Sequence, residues 1–256
     1  MIFRRNKKRV DEAEDSDLVA DAEAADEASD PEGSDEVDPA SEESGEDQLD
    51  VDGLDAGEWR GEGPHDVSEV DDLTGTSEAP RIDLGAMIIT GFPGAELRLQ
   101  MSEETQQIVS AMLLHGESAL EVGAYAAPRS GGLWSELRDE IMGSAVEMGG
   151  TASLAEGPFG VELRRYIPVT TPEGEQGYQP SRMWVAEGPR WLLRGIVYGQ
   201  AALEEGLESP VAELLNAFRA IVVRRGDEAM APGDLLPLTM PQNLVGEDKV
   251  DDEATA

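Results

Sequence analysis

The stretch SALEVGAYAAPRSGGLWSELRDEI, residues 118–141, decides the fold class because it places a strand directly before an amphipathic helix. Its first part is an apolar run, and from Leu133 onward apolar residues recur at helical spacing with acidic residues between them. A second apolar run, residues 107–115, is separated from the first by Gly116-Glu117, a spacing that predicts a β-hairpin.

Further segments extend this pattern on both sides of the helix. The other predicted strands are residues 85–90, 96–101, 160–169, 181–188 and 190–198. A second helix is predicted after Ser209-Pro210, a capping residue followed by proline at the first helical position. Because the strands come in groups and do not alternate with helices, we predict an α+β fold: an antiparallel or mixed sheet of about six to seven strands with two main helices packed on one face.

Charge is distributed very unevenly along the 256 residues. Residues 11–80 hold 28 of the 55 acidic residues and one basic residue, Arg60, whereas the first ten residues carry five basic residues and no acidic one. So acidic a segment has too little apolar surface to offset the entropy of ordering it. We therefore predict a disordered acidic arm over residues 1–80 with a basic start, a single folded domain over 81–241, and a disordered acidic tail over 242–256.

Composition also bears on the classes of site and of cellular location. The chain has no cysteine, which excludes disulfides, thiol catalysis and cysteine-ligated metal. His115 is alone in the predicted domain and is expected to be a solvated or capping residue, so we predict no catalytic residue, no metal and no cofactor. No apolar run approaches the roughly 18–20 residues that span a bilayer, which predicts a cytoplasmic protein without stable membrane insertion.

The turn Arg129-Ser130-Gly131-Gly132 has two interpretations. Free N–H groups at a helix start and two glycines suit an anion, with Arg129 as a second partner for a phosphate or carboxylate. The segment matches neither common phosphate-binding glycine motif, however, and Ser130 is equally a helix cap. We favour a structural turn and keep these four residues as candidate ligand-binding positions.

A second candidate site is a group of arginines on strands that are predicted to be neighbours: Arg164, Arg165, Arg182, Arg190 and Arg194. Arg164, Arg182 and Arg194 are the candidate ligand-binding residues of this group, and an acidic ligand would suit them. We favour the alternative that they pair with glutamates across the sheet, as exposed charges commonly do. The glutamates of the same strands alternate with apolar residues and are interpreted as a solvated face: Glu117, Glu121, Glu162 and Glu187.

Three separated blocks of the sequence resemble one known family. They are HGESALEVGAYAAPRSGGLWSELRDEI (115–141), GPFGVELR (157–164) and GPRWLLRGIVYGQAAL (188–203). Together with the acidic arm, they are similar to the actinobacterial domain-of-unknown-function 3710 family over about residues 80–240. The resemblance implies a cytoplasmic protein with no established activity, and it assigns no catalytic residue.

The sequence therefore leaves three classes of function open. We favour a non-enzymatic protein-binding or scaffolding module, whose partner is another protein and whose acidic arm solubilises or regulates it. One alternative is an enzyme or sensor that binds a small anionic ligand at the start of the first helix. Another is a chaperone-like domain that holds client peptides. The net charge of −36 repels nucleic acid, so no nucleic-acid partner is expected.

Overall fold

A computed structural model describes residues 49–171 and 174–241. Among these residues lie three α-helices: α1 (Val51–Asp55), α2 (Leu133–Glu147) and α3 (Val211–Arg219). Short 3₁₀ helices span Val67–Glu69 and Gln200–Ala202. Four short strands form a small sheet: β1 (His65–Asp66), β2 (Arg81–Asp83), β3 (Met87–Thr90) and β11 (Val222–Val223). Their order across it is β1-β11-β3-β2, with β1 parallel to β11 and the other pairs antiparallel.

The main element is a seven-stranded antiparallel sheet. Its strands are β4 (Glu96–Met101), β5 (Ile108–His115), β6 (Ser118–Ala126), β7 (Thr151–Gly157), β8 (Gly160–Thr170), β9 (Gln176–Gly188) and β10 (Trp191–Gly199). Their order across the sheet is β4-β5-β6-β10-β9-β8-β7. The strands before α2 thus join those after it where β6 pairs with β10, with Gly123 opposite Arg194. The predicted α+β class and antiparallel sheet are confirmed.

The predicted packing of both helices on one face of the sheet is wrong. Leu192 and Leu193 are consecutive residues of β10, so their side chains point to opposite faces. Leu193 packs in the core that contains Phe218 of α3, whereas Leu192 packs in the core that contains Trp134 of α2. We call these the α3 face and the α2 face. Each face of the sheet is packed against other elements at this point, and β10 is accordingly buried along both of its faces.

Close packing of α3 depends on one glycine. A Cβ atom at Gly195 of β10 would lie 2.7 Å from the ring of Phe218 and 3.0 Å from Leu120. Phe218 is fully buried and also contacts the ring of Phe159 at 5.0 Å between centroids. The missing side chain therefore lets the helix approach the sheet.

The start of α3 differs in detail from the prediction. The helix begins at Val211 with Pro210 at the cap position. The Ser209 hydroxyl donates to the Glu213 carboxylate at 2.9 Å and caps no backbone N–H group. The predicted helix is confirmed and the predicted cap is wrong.

The segment after α3 covers an open edge of β6. Strand β5 pairs with β6 only as far as Val122. Beyond it, Leu236 donates its backbone N–H to the carbonyl oxygen of Ala124 at 2.8 Å, and Ala126 donates to Asp234 at 2.8 Å. Leu236 is fully buried. This extended segment therefore satisfies the backbone groups that β5 leaves unpaired.

The folded domain begins earlier than predicted, because residues 49–80 are part of it. The sequence places that start at residue 81, but α1, β1 and a 3₁₀ helix precede it and contact the rest of the domain. Asp55 pairs with Arg138 of α2, and Asp66 accepts a hydrogen bond from Trp191 at 2.8 Å. The acidic composition of the segment predicted disorder. The contacts that order it are polar and join residues far apart in sequence, so no local pattern indicates them. Residues 1–48 of the predicted arm and the predicted tail 242–256 lie outside the described residues.

Candidate functional site

A cleft opens where the segment 54–69 lies beside the start of α2. Its volume is about 650 Å³, within the usual range for a small-molecule or side-chain binding site. Its walls come from the end of α1 and the loop after it, from the first turn of α2, from Phe159 in the β7–β8 turn, and from residues 185–187 of β9. We call it the α1–α2 cleft.

Two anchors hold the outer wall of the cleft in place. Arg138 donates two hydrogen bonds to the Asp55 carboxylate, at 2.8 and 2.9 Å, and its own side chain is buried. Asp66 accepts from Trp191 Nε1 at 2.8 Å and also from the Ser68 backbone at 3.0 Å. Asp66 and Glu69 form a capping box, since the Glu69 carboxylate accepts the Asp66 N–H group in return. The pattern Asp-x-x-Glu at residues 66–69 is a sequence signature of this box.

The start of α2 already holds an anion, and that anion belongs to the chain. Glu187 of β9 accepts the backbone N–H of Gly132 at 2.7 Å and that of Trp134 at 2.7 Å. Gly131 and Gly132 have φ of 69° and 83°, a conformation that glycine adopts readily. The carboxylate therefore takes the place that a ligand anion would occupy.

The other two residues of this turn have no direct part in the cap. Arg129 is exposed and forms no ion pair with any described residue. Ser130 does not cap the helix, because its hydroxyl lies 3.4 Å from the Gly131 carbonyl oxygen and α2 begins after Gly132. The favoured interpretation as a turn is consistent with these contacts, but Glu187 provides the cap that was expected from Ser130.

The lining of the cleft combines aromatic rings with carboxylates. Trp59, Trp134 and Phe159 contribute the rings, and Trp59 remains 39% exposed. Trp59 is held by its Nε1, which donates to the Leu54 carbonyl oxygen at 2.7 Å. Glu58 is exposed and pairs with no basic residue of the described chain. Residues 54–69 were not among the sequence-derived candidates, although Trp59 is a lone aromatic residue in an acidic segment.

One ion pair at the rim of the cleft is held by two hydrogen bonds. Arg60 donates to both oxygens of Glu69, at 2.6 and 2.8 Å. These hydrogen bonds hold the pKa of Glu69 at about 2, well below the ordinary value for glutamate. The same guanidinium lies over the ring of Trp191, 5.4 Å from its centroid. The cleft region thus already binds one cation by carboxylate and aromatic contacts together.

Arg164 and Arg182, two of the candidate ligand-binding arginines, belong to a buried cluster on the α3 face. Glu162 accepts hydrogen bonds from Arg164 Nε at 2.8 Å, from Arg182 Nε and Nη2 at 2.9 Å each, and from Trp184 Nε1 at 2.7 Å. Arg182 also donates to two carbonyl oxygens of the loop 204–206. The favoured arginine–glutamate pairing is present, but the expected solvated face is wrong for Glu162, whose exposure is 1%.

The third arginine of that group lies elsewhere. Arg194 is on the α2 face, 5.0 Å from the ring centroid of Tyr125, so it does not lie beside Arg164 and Arg182. The remaining candidates are also dispersed: Glu117 is exposed in the β5–β6 turn, and Glu121 is half-buried on the α2 face. His115 packs its ring against Phe92 at 5.2 Å between centroids. Periodicity shows which residues of one strand share a face, but it does not show which residues of other strands lie on that same face of the sheet. That depends on the strand order and register, which the sequence did not reveal.

The described residues hold neither a metal-binding cluster nor a membrane-spanning helix. No three or more His, Asp or Glu side chains in residues 49–171 and 174–241 gather in a group suited to a metal ion. No helix in the same ranges has the length and apolar character required to cross a bilayer.

Comparison with known proteins places the chain in a family without assigning an activity. No curated protein matches it. Among solved structures, the solution structure of cyanobacterial PsbP (CyanoP) from Synechocystis sp. PCC 6803 is similar, with 11% identity and a TM-score of 0.33. That likeness covers 60% of this chain and 97% of the other, and it carries no argument about function at such a score. A family model described as a protein of unknown function (DUF3710) matches residues 63–247, so the chain belongs to the domain-of-unknown-function 3710 family.

Proposed function

We propose that this domain is a non-enzymatic protein-binding module that receives a basic segment of a partner protein in the α1–α2 cleft. The observation that carries the proposal is the lining of the cleft, in which three aromatic rings stand beside carboxylates. An arginine or lysine side chain gains from both kinds of group, through ion pairing and through contact with an aromatic face.

The exposure of individual residues supports a partner that enters from solvent. Trp59 presents 39% of its surface and Glu58 is exposed beside it, so a basic side chain reaches both without rearrangement of the core. The pairing of Arg60 with Glu69 and with the Trp191 ring shows that the chain uses this same combination internally. The net charge of −36 attracts a basic partner from a distance and raises the rate of encounter.

The same lining disfavours a small anionic ligand at the start of α2. Glu187 fills the helix start, and the cleft beside it adds the Glu58 and Asp55 carboxylates. An incoming phosphate would have to displace a carboxylate and approach others. The anionic-ligand function is therefore less favoured than the protein-binding one.

A client-binding role, the second candidate, has one observation in its favour. Tyr166 and Tyr178 are 46% and 64% exposed, and they lie on one face of the β8–β9 hairpin beside Pro180 and Pro168. An exposed aromatic surface of this kind suits an apolar peptide. It is separate in sequence from the cleft, so variants distinguish the two candidates.

The proposal is tested with a fluorescein-labelled arginine–glycine hexapeptide and the full-length protein, at about 0.15 M salt to screen long-range attraction. The same peptide with citrulline in place of arginine measures binding that does not need the charge. Glu58→Gln is compared with Glu117→Gln, which removes an equal charge from an exposed turn away from the cleft. Trp59→Ala is compared with Tyr178→Ala.

Fluorescence anisotropy should show tighter binding of the arginine peptide than of the citrulline peptide. Loss of one exposed carboxylate should weaken binding about two- to fivefold for Glu58→Gln, and Trp59→Ala should weaken it about three- to thirtyfold. Glu117→Gln should leave the affinity within error. Equal effects of the two carboxylate variants would show nonspecific attraction and refute the cleft. A loss in Tyr178→Ala alone would favour the client-binding surface.

A further inference from the structure

A group of charged and aromatic side chains lies half-buried on the α2 face of strands β6, β8 and β10. Helix α2 makes most of its strand contacts with β7 and β8, and Tyr125 and Tyr198 of this group pack against the core that contains Trp134 of α2. The members of the group are Arg165 of β8, Arg194 and Tyr198 of β10, and Glu121 and Tyr125 of β6. We call it the arginine–tyrosine cluster. It shares no residue with the α1–α2 cleft.

The two arginines of the cluster differ from most others in the domain by having no polar partner. Seven arginines of the described chain form ion pairs, among them the buried Arg182 and Arg138. Neither Arg165 nor Arg194 forms an ion pair or a side-chain hydrogen bond with any described residue, and the Nε atom of each is buried without an acceptor. The Nε groups are covered by protein, so the Nη groups, which also lack an acceptor among the described residues, are the donors that a ligand oxygen would meet.

The local charge balance is positive in an otherwise acidic protein. Glu121 is the one carboxylate of the cluster, and it accepts a hydrogen bond from the Tyr198 hydroxyl at 3.3 Å. Two guanidiniums against one carboxylate leave an excess of one positive charge. Burial, with Glu121 as a further cause, raises the pKa of Tyr198 to about 12, so its hydroxyl is a neutral donor at physiological pH.

The aromatic rings orient the cationic groups. The Arg194 guanidinium lies 5.0 Å from the centroid of the Tyr125 ring, a distance at which stacking is favourable. Tyr125 in turn lies over Gly123, where a Cβ atom would approach its hydroxyl to 3.1 Å. A glycine on the strand thus makes room for the ring that supports the arginine, so the Arg194 fork is held in one place before any ligand arrives.

We propose that the arginine–tyrosine cluster is a binding site for an oxyanion, the phosphate or carboxylate group of a small ligand, held between the guanidiniums of Arg165 and Arg194. Guanidinium forks match both groups, and the donors that lack partners supply the hydrogen bonds. The Tyr198 hydroxyl, whose bond to Glu121 is long, is a further donor. The site goes beyond the proposed function, because its ligand has the opposite charge to that of the basic segment in the cleft.

Inorganic phosphate and acetate are the probes, each titrated into the full-length protein and compared with chloride at equal ionic strength. Signals of the arginine Nε–H groups in nitrogen-15 spectra report contact of each ion with the guanidinium groups. The key variants are Arg165→Gln and Arg194→Gln. Arg98→Gln is the matched control, since Arg98 lies on β4, is exposed and already pairs with Glu96 at 2.8 Å.

Phosphate or acetate should shift two arginine Nε–H signals in a saturable manner, and the ion that binds more tightly identifies the class of ligand. Each key variant should weaken that ion about tenfold or more, as expected for loss of a charged hydrogen-bond partner, whereas Arg98→Gln should not. Arg165→Lys, which keeps the charge and loses the fork, should give an intermediate affinity even if Arg165→Gln folds poorly. Shifts no larger than those in chloride, or an equal loss in Arg98→Gln, would overturn the proposal.

Discussion

Replacement of Glu162 by glutamine should cost about 3–5 kcal/mol of the free energy of unfolding, the usual penalty for breaking a buried ion pair from one side. The structure explains the size. The Glu162 carboxylate accepts four hydrogen bonds, three of them from guanidinium groups, and the glutamine amide keeps only one oxygen to receive them. Two charge-assisted hydrogen bonds are therefore lost, at about 1.5–3 kcal/mol each, and the new N–H₂ group faces other donors.

Urea unfolding of the full-length protein, followed by tryptophan fluorescence and extrapolated linearly to water, measures this loss. Glu96→Gln is the control, because it breaks an arginine–glutamate pair whose side chains are 60% and 63% exposed, respectively. That variant should unfold at the same urea concentration as the wild type, since solvent screens an exposed pair. A loss below about 1 kcal/mol in Glu162→Gln would refute the conclusion that the buried carboxylate is required to balance its two arginines.

Three further predictions concern the anchors of the domain. Deletion of residues 1–48 should leave the melting temperature of the domain near that of the full chain, whereas deletion of residues 1–80 should lower it in calorimetry, because the second deletion removes the contacts of the α1 segment with α2 and β10. Trp134→Ala should lower the free energy of unfolding by about 3–5 kcal/mol in the same urea assay, as for other buried aromatic residues. Glu69→Gln should destabilise the protein near neutral pH. Because the folded-state pKa of Glu69 is about 2 and its ordinary value is 4.5, the contribution of Glu69 is complete above pH 4.5 and is lost as the pH falls toward 2. The difference in melting temperature between the wild type and Glu69→Gln should therefore shrink over that range, and a difference independent of pH would contradict the assignment.

Local pattern predicts the main elements of this fold well. Leu97 and Leu99 alternate with polar residues in β4, and Leu137 and Ile141 follow Trp134 at helical spacing in α2, so both elements are found near their predicted bounds. The sequence failed at β7, whose residues TASLAEG are small and carry no β-branched aliphatic side chain. This strand is at the edge of the sheet and is specified by its pairing with β8, a contact that periodicity does not report.

The candidate sites depend on longer-range information than the fold class does. Glu187 follows the apolar run 183–186 near the end of β9, and only the approach of α2 turns it into a helix cap. Glu162 stands between the apolar residues Val161 and Leu163, as a solvated glutamate of a strand would, but it is buried because the α3 face is covered at that point. Alternation assigns a side chain to one face of a strand, whereas burial depends on which element covers that face.

The small sheet is held in place by contacts between residues far apart in sequence, and this affects how fast and in what order the chain folds. Asp66 and Trp191 are 125 residues apart in sequence, and the ion pair of Arg224 with Asp83 spans 141 residues. Contacts at such separations form only after a large loop has closed, which makes folding slow for a chain of this length. During synthesis, β3 emerges from the ribosome long before β11 exists to cover its edge. Its fully buried Met87 and Ile89 are therefore exposed in the nascent chain, and aggregation competes with folding until α3 and β11 have been made.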